Sequence, residues 1–151
     1  MRFFAAILIF LFSIAPVAHA AQETKLRLRA PSDDLREKQV MAYLEDQKIL
    51  VGDLPFTVAN LDLNNDGIDE WIFRQETTSN CTATASCKFL VAGLDKNKKP
   101  LLIAQIDAAR INIRDDEMYG VRDLSVYKNP NNDLEASRYS WTPQQSTYLP
   151  F

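Results

Sequence analysis

The chain has 151 residues, with 17 basic and 20 acidic side chains and a formal charge of −3. This mild acidity argues against a nucleic-acid binder, which carries a basic face. The length suits one domain, and 46% hydrophobic residues are enough to build a sizeable core.

Residues 1–20 are expected to be a secretory signal peptide. Arg2 gives a short basic start, residues 3–17 are apolar, and Ala18-His19-Ala20 is a small-x-small cleavage signature. No cysteine sits at the cut, so a lipid anchor is not expected. Removing 20 of the 151 residues leaves 131, and the loss of Arg2 takes the charge from −3 to −4. No remaining apolar run could span a bilayer. The expected destination is the periplasm or the medium. The single histidine, His19, leaves with the signal. A mature chain without histidine excludes Ser-His-Asp and Cys-His nucleophilic sites, histidine-bound zinc and imidazole bases.

Residues 21–31 alternate weakly through Leu26 and Leu28, as a tail or a short edge strand would. The single domain is expected over 32–151. Pro31-Ser32-Asp33-Asp34 reads as a helix start, with Ser32 as N-cap and the aspartates at the positive end of the helix dipole. The helix runs from 33 to about 47, with Val40 and Leu44 on its apolar face and Leu35, Met41 and Ala42 near it. Short apolar runs follow at 56–61, 71–74, 88–94, 101–106, 110–114, 120–127, 134–141 and 147–151, and these are the expected strands. Residues 76–86 read as a polar loop, 95–100 as a turn, Asp115-Asp116-Glu117 as a turn, and Asn129-Pro130-Asn131-Asn132 as another. The connections are too short for parallel crossovers. The fold class is therefore α+β, an antiparallel β-meander sheet with one N-terminal helix packed on it. Cys81 and Cys87, an even pair in an exported chain, are expected to form a disulfide that stabilises by about 2 kcal/mol.

Residues 62–70 read D-x-N-x-D-G-x-D-E. Oxygen-bearing side chains recur at Asp62, Asn64, Asp66 and Glu70, and Gly67 suits the tight turn among them. Ile68 can add its carbonyl. This pattern suits a hard cation, and Ca²⁺ before Mg²⁺, which demands stricter geometry. Without a cation, each close carboxylate pair costs about 1–4 kcal/mol. A plain polar turn, with Asn and Asp side chains bonding the backbone, is the simpler alternative. The loop is not an EF-hand, because Phe73 stands where that motif places its bidentate glutamate.

The stretch DLNNDGIDEWIF, residues 62–73, resembles the calcium loop of FG-GAP/VCBS-type sequences, D-x-[DN]-x-D-G-x-x-[DE] before a short strand. The resemblance implies Asp62, Asn64, Asp66, Ile68 (through its carbonyl) and Glu70 as ligands of a structural Ca²⁺. Those families repeat the unit around a propeller; here it occurs once, so no propeller is expected. Residues 56–127 also resemble small exported bacterial proteins with one such loop, a two-cysteine hairpin and a G-x-x-D-L segment, here Gly120-Val121-Arg122-Asp123-Leu124. That resemblance brings no activity with it.

Asp107, Asp115, Asp116 and Glu117 could supply the paired carboxylates of a glycosidase, but a solvated turn explains 115–117 better. Lys96, Lys98 and Lys99 read as a solvated hairpin tip. Tyr119, Tyr127, Tyr139, Trp141, Tyr148 and Phe151 read as core or cross-strand aromatics, with a partner- or glycan-binding face as the alternative. Arg122 and Asp123 fit a structural salt link or a surface contact. The expectation is a non-enzymatic, exported calcium-binding domain that acts on a protein partner in the periplasm. The alternatives are an inhibitor or immunity protein against a cell-wall hydrolase or toxin, and a carboxylate-based hydrolase.

Overall fold

The computed structural model describes residues 22–77, 81–84, 87–132 and 134–151. The expected signal peptide, residue 21 and parts of the 76–86 loop lie outside the described residues. The elements run β1 (Glu23–Lys25), α1 (Leu35–Asp46), β2 (Phe56–Leu61), β3 (Glu70–Gln75), α2 (Cys81–Thr84), β4 (Cys87–Leu94), β5 (Pro100–Ala108), β6 (Arg110–Met118), β7 (Val121–Tyr127), β8 (Ala136–Thr142) and β9 (Thr147–Pro150).

The strands divide into two sheets, where one meander was expected. Their orders are β2-β3-β4-β5 and β1-β6-β7-β8-β9, and the pairings are antiparallel. The sheets face each other over one core, built from Ile72, Phe89, Val91 and Ile106 on one side and Ile111, Ile113, Leu124 and Val126 on the other. A second core lies between α1 and the four-stranded sheet. There Val40 and Leu44 meet Trp71, Phe73, Leu90 and Ala92. The layers are therefore helix, sheet, sheet. Burying each large side chain in these cores contributes roughly 1.5–3 kcal/mol.

This layering explains two sequence textures. β3 and β4 are covered on both faces, so they read as unbroken apolar runs. β6 and β7 turn an apolar face to the inter-sheet core, while their other face carries polar residues, of which Asn112, Asp123 and Ser125 are also buried. Their inward residues, Ile111, Ile113, Leu124 and Val126, alternate with polar Asn112, Arg114, Asp123 and Ser125.

The chain also ties the sheets together at both sides. Arg29 exchanges two backbone bonds with Val58, of 2.9 and 2.8 Å, so the N-terminal segment crosses from the edge of one sheet to the edge of the other. At the opposite side Thr147 Oγ1 donates to the Ile103 carbonyl at 2.6 Å.

Three expectations need correction. The N-cap of α1 is Asp34, whose Oδ1 accepts from the Arg36 and Glu37 N–H groups at 2.9 Å each. Ser32 sits two residues back; its Oγ accepts from Asp34 N, and its own N–H serves Glu37. Leu35 is 82% exposed, and the inner face of α1 is Glu37, Val40 and Leu44. Residues 115–117 are strand, not turn. β6 runs on to Met118, with a register shift between Ile113 and Glu117. The turn is Tyr119-Gly120, where φ is 56° and 76°, the two-residue hairpin that needs positive φ twice. The charge of 115–117 reflects the exposure of that hairpin arm.

Candidate metal centre

The loop between β2 and β3 carries the D-x-N-x-D-G-x-D-E motif. Its backbone turns back on itself through Asn65 at φ 57° and Gly67 at φ 82°, left-handed positions that asparagine and glycine tolerate best. The acids hold this turn from inside. Asp62 Oδ1 accepts from Asp66 N at 3.1 Å, and Asp62 Oδ2 from Gly67 N at 2.8 Å. Asn64 Oδ1 also accepts from Asp66 N, at 3.0 Å. Asp66 Oδ1 accepts from Ile68 N at 2.8 Å. Glu70 Oε2 reaches back across the loop to Leu63 N at 2.8 Å.

Four of the five expected ligand residues, Asp62, Asn64, Asp66 and Glu70, thus form one hydrogen-bonded group. Ile68 joins it through its N–H. The Asn64 amide lies between two carboxylates, donating Nδ2 to Asp66 Oδ2 at 3.1 Å and to Glu70 Oε1 at 3.3 Å. That NH₂ is the positive pole among these acids.

The electrostatics differ along the loop. Burial pushes the Asp62 carboxyl up, but the Gly67 and Asp66 N–H groups outweigh it and hold the group below its ordinary range. Glu70 is 7% exposed. Burial, with the nearby Asp66 and Asp62 charges, pushes its carboxyl up to about 7 against the Leu63 N–H bond. The donor set is oxygen-rich and short of positive charge, which suits a hard cation. Among the described residues no group of three or more acidic, histidine or cysteine side chains forms a ready-built metal cage. Here the aspartates are spent on backbone N–H groups.

The loop is anchored to both sheets. Leu63 is buried in the inter-sheet core, and its carbonyl accepts from Arg122 N in β7 at 2.8 Å. Tyr148 in β9 donates its hydroxyl to the Arg122 carbonyl at 2.7 Å. Asn65 Nδ2 reaches Glu117 at 3.4 Å. Beside Glu70 lies a pocket of about 60 Å³ walled by Leu63, Ile103, Val121, Trp141 and Tyr148. Burial, with the Glu70 and Asp123 charges, pushes the Tyr148 phenol upward. On the other flank, Asn60 Nδ2 donates to Asp69 Oδ2. Asn60 Oδ1 accepts from Arg29, which holds Glu37 at the start of α1 at 2.7 Å.

The remaining candidates separate. Cys81 and Cys87 form a disulfide. Asp107, Asp115, Asp116 and Glu117 do not border the pocket beside Glu70; Asp116 pairs with Arg114 at 2.7 Å. Lys96, Lys98 and Lys99 are exposed on a turn that Asp95 caps with two 2.8 Å bonds. Trp141 and Tyr148 meet edge to face at 6.0 Å, and Tyr139 packs on the core, whereas Tyr119 and Phe151 are exposed. Asp123 is buried and pairs with Arg138 of β8 at 2.5 Å, not with Arg122.

Two further carboxylates, the half-buried Glu23 and the buried Glu37, were not among the sequence candidates. Glu23 of β1 accepts from Ser125 at 2.5 Å, Tyr127 at 2.6 Å and Asn112 at 2.9 Å. Glu37 shares the helical spacing of Val40 and Leu44, and that signal was in the sequence. No family model, curated protein or solved structure matches the chain.

Proposed function

We propose that the chain is an exported, non-enzymatic binding domain whose 62–70 loop takes one Ca²⁺ as a structural clip. The observation that carries this reading is the Asn64 amide held between Asp66 and Glu70, with the Asp62 carboxylate bonded to N–H groups of the same loop, which is tied to both sheets. Ca²⁺ would neutralise the mutual repulsion of these acids. Asp62, Asp66 and Glu70 would offer carboxylate oxygens, and Asn64 its Oδ1 once the amide turns over. The likeness to the FG-GAP/VCBS loop supports the same ligand set. The Cys81–Cys87 disulfide fits an oxidising compartment, as does the apolar leader with its cleavage signature. The action is recognition of a partner by the surface that the clip holds in shape. A carboxylate-based hydrolase finds less support, because among the described residues Glu70 is the single acid lining the pocket beside the loop.

Calorimetric titration of residues 21–151 with Ca²⁺ tests the metal reading. One saturable site is expected, with its heat abolished in the Asp62→Ala/Asp66→Ala double variant. No heat with the wild-type chain would remove the metal from the account.

A further inference from the structure

We infer a second binding site, for a small carboxylate with an apolar tail, at the end of the sandwich remote from the cation loop. β3 begins at Glu70 in the loop and reaches Arg74 near its other end. There a cleft of about 210 Å³ opens between the sheets. Three cationic side chains line it from three strands: Lys25 of β1, Arg74 of β3 and Arg110 of β6. Among the described residues no acid lines it, although the chain carries a net negative charge.

Arg74 is far from saturated. A guanidinium has five N–H donors. Among the described residues one reaches Glu76, at 3.4 Å, and the buried Nε has no hydrogen-bond partner. Directly across the strand pair stands Thr57, whose buried Oγ1 also has none. The Lys25 ammonium is exposed and, among the described residues, makes no ion pair. Arg110 is held in place with its guanidinium 3.9 Å above the Tyr127 ring. The nearby Glu23 carboxylate is already taken by Ser125, Tyr127 and Asn112.

The other wall is apolar, made by Leu26, Leu28 and Phe89. A planar carboxylate matches the arginine fork, and an amine does not. An alkyl or aryl tail matches the apolar wall, which inorganic phosphate leaves uncovered. The ligand class is therefore an amphiphilic monocarboxylate small enough for a single cleft.

Octanoate is the probe. It is titrated calorimetrically into residues 21–151 at low salt without Ca²⁺, so that the cation reading stays separate. Saturable binding is expected, weakened by added salt. Octylammonium and inorganic phosphate should bind at least about tenfold more weakly, a difference near 1.4 kcal/mol. Arg74→Gln and Lys25→Gln should each weaken octanoate by a similar factor, with melting curves verifying that they fold. Lys25 is exposed, so its variant decides the matter if Arg74→Gln fails to fold. Absence of octanoate binding, equal binding of octylammonium or phosphate, or full affinity in the folded variants would overturn the site.

Discussion

Glu37 is an acid on the face of α1 that Val40 and Leu44 turn toward the sheet, and its side chain is 1% exposed. Burial alone pushes its carboxyl up, yet the Arg29 guanidinium and the Ser32 N–H outweigh burial and hold it below the ordinary 4.5. A depressed carboxyl stabilises the fold fully above that ordinary value, and the stabilisation fades as pH falls through the folded-state pKa. Urea unfolding should therefore show wild-type stability declining below about pH 4.5. Glu37→Gln should cost about 2 kcal/mol at pH 7 and decline less on acidification. An equal acid loss in both proteins would show that Glu37 is not a source of it. Gly67 offers a test of the loop backbone. A Cβ there meets nothing within 4 Å, but φ is +82°. Gly67→Ala should lower stability by about 1 kcal/mol through backbone strain alone, measured by thermal melting.

At the scale of elements, the helix and the disulfide give separable predictions. Leu44→Ala empties a fully buried position in the core beneath α1 and should cost about 3 kcal/mol. Leu35→Ala, at an 82% exposed position, should stay within about 0.5 kcal/mol. Replacing Cys81 and Cys87 by serine should cost about 2 kcal/mol, since the ring they close is small. Chemical denaturation checks all three. Element type was legible because strand runs such as 56–61 sit between strong turn signals, and β2 spans those very residues. The partition into two sheets was not. β1 pairs with β6 across most of the chain, and local patterning carries no information about which distant edge a three-residue strand will meet. The helix cap was misread because Ser32, Asp33 and Asp34 can all cap, and tertiary demand decided among them: Glu37 needed the Ser32 N–H. For the loop, alternating oxygens were plain in the sequence. Its anchorage was not, because Leu63 O and Arg122 N are backbone atoms that any residue could supply.

At the scale of the whole molecule, the two sheets share a core and are tied at both sides and through the loop at one end. Arg29 to Val58 closes one side, Thr147 to Ile103 the other, and the loop bonds Leu63 to Arg122 at one end. The first two ties need no ion. The third depends on a loop in which Asp66 and Glu70 share one amide and the Asp62 charge lies near Glu70, and a cation bound there would stiffen both sheets at once. The proposed Ca²⁺ clip would thus act beyond its ligands, on β7. Amide hydrogen exchange at the Arg122 N–H, compared with and without Ca²⁺, reads this directly. With the proposed clip, Ca²⁺ is expected to slow exchange at Arg122 as well as at Asp66 and Gly67, and Asp62→Ala/Asp66→Ala is expected to abolish the effect. Unchanged exchange at Arg122 in saturating Ca²⁺ would contradict it.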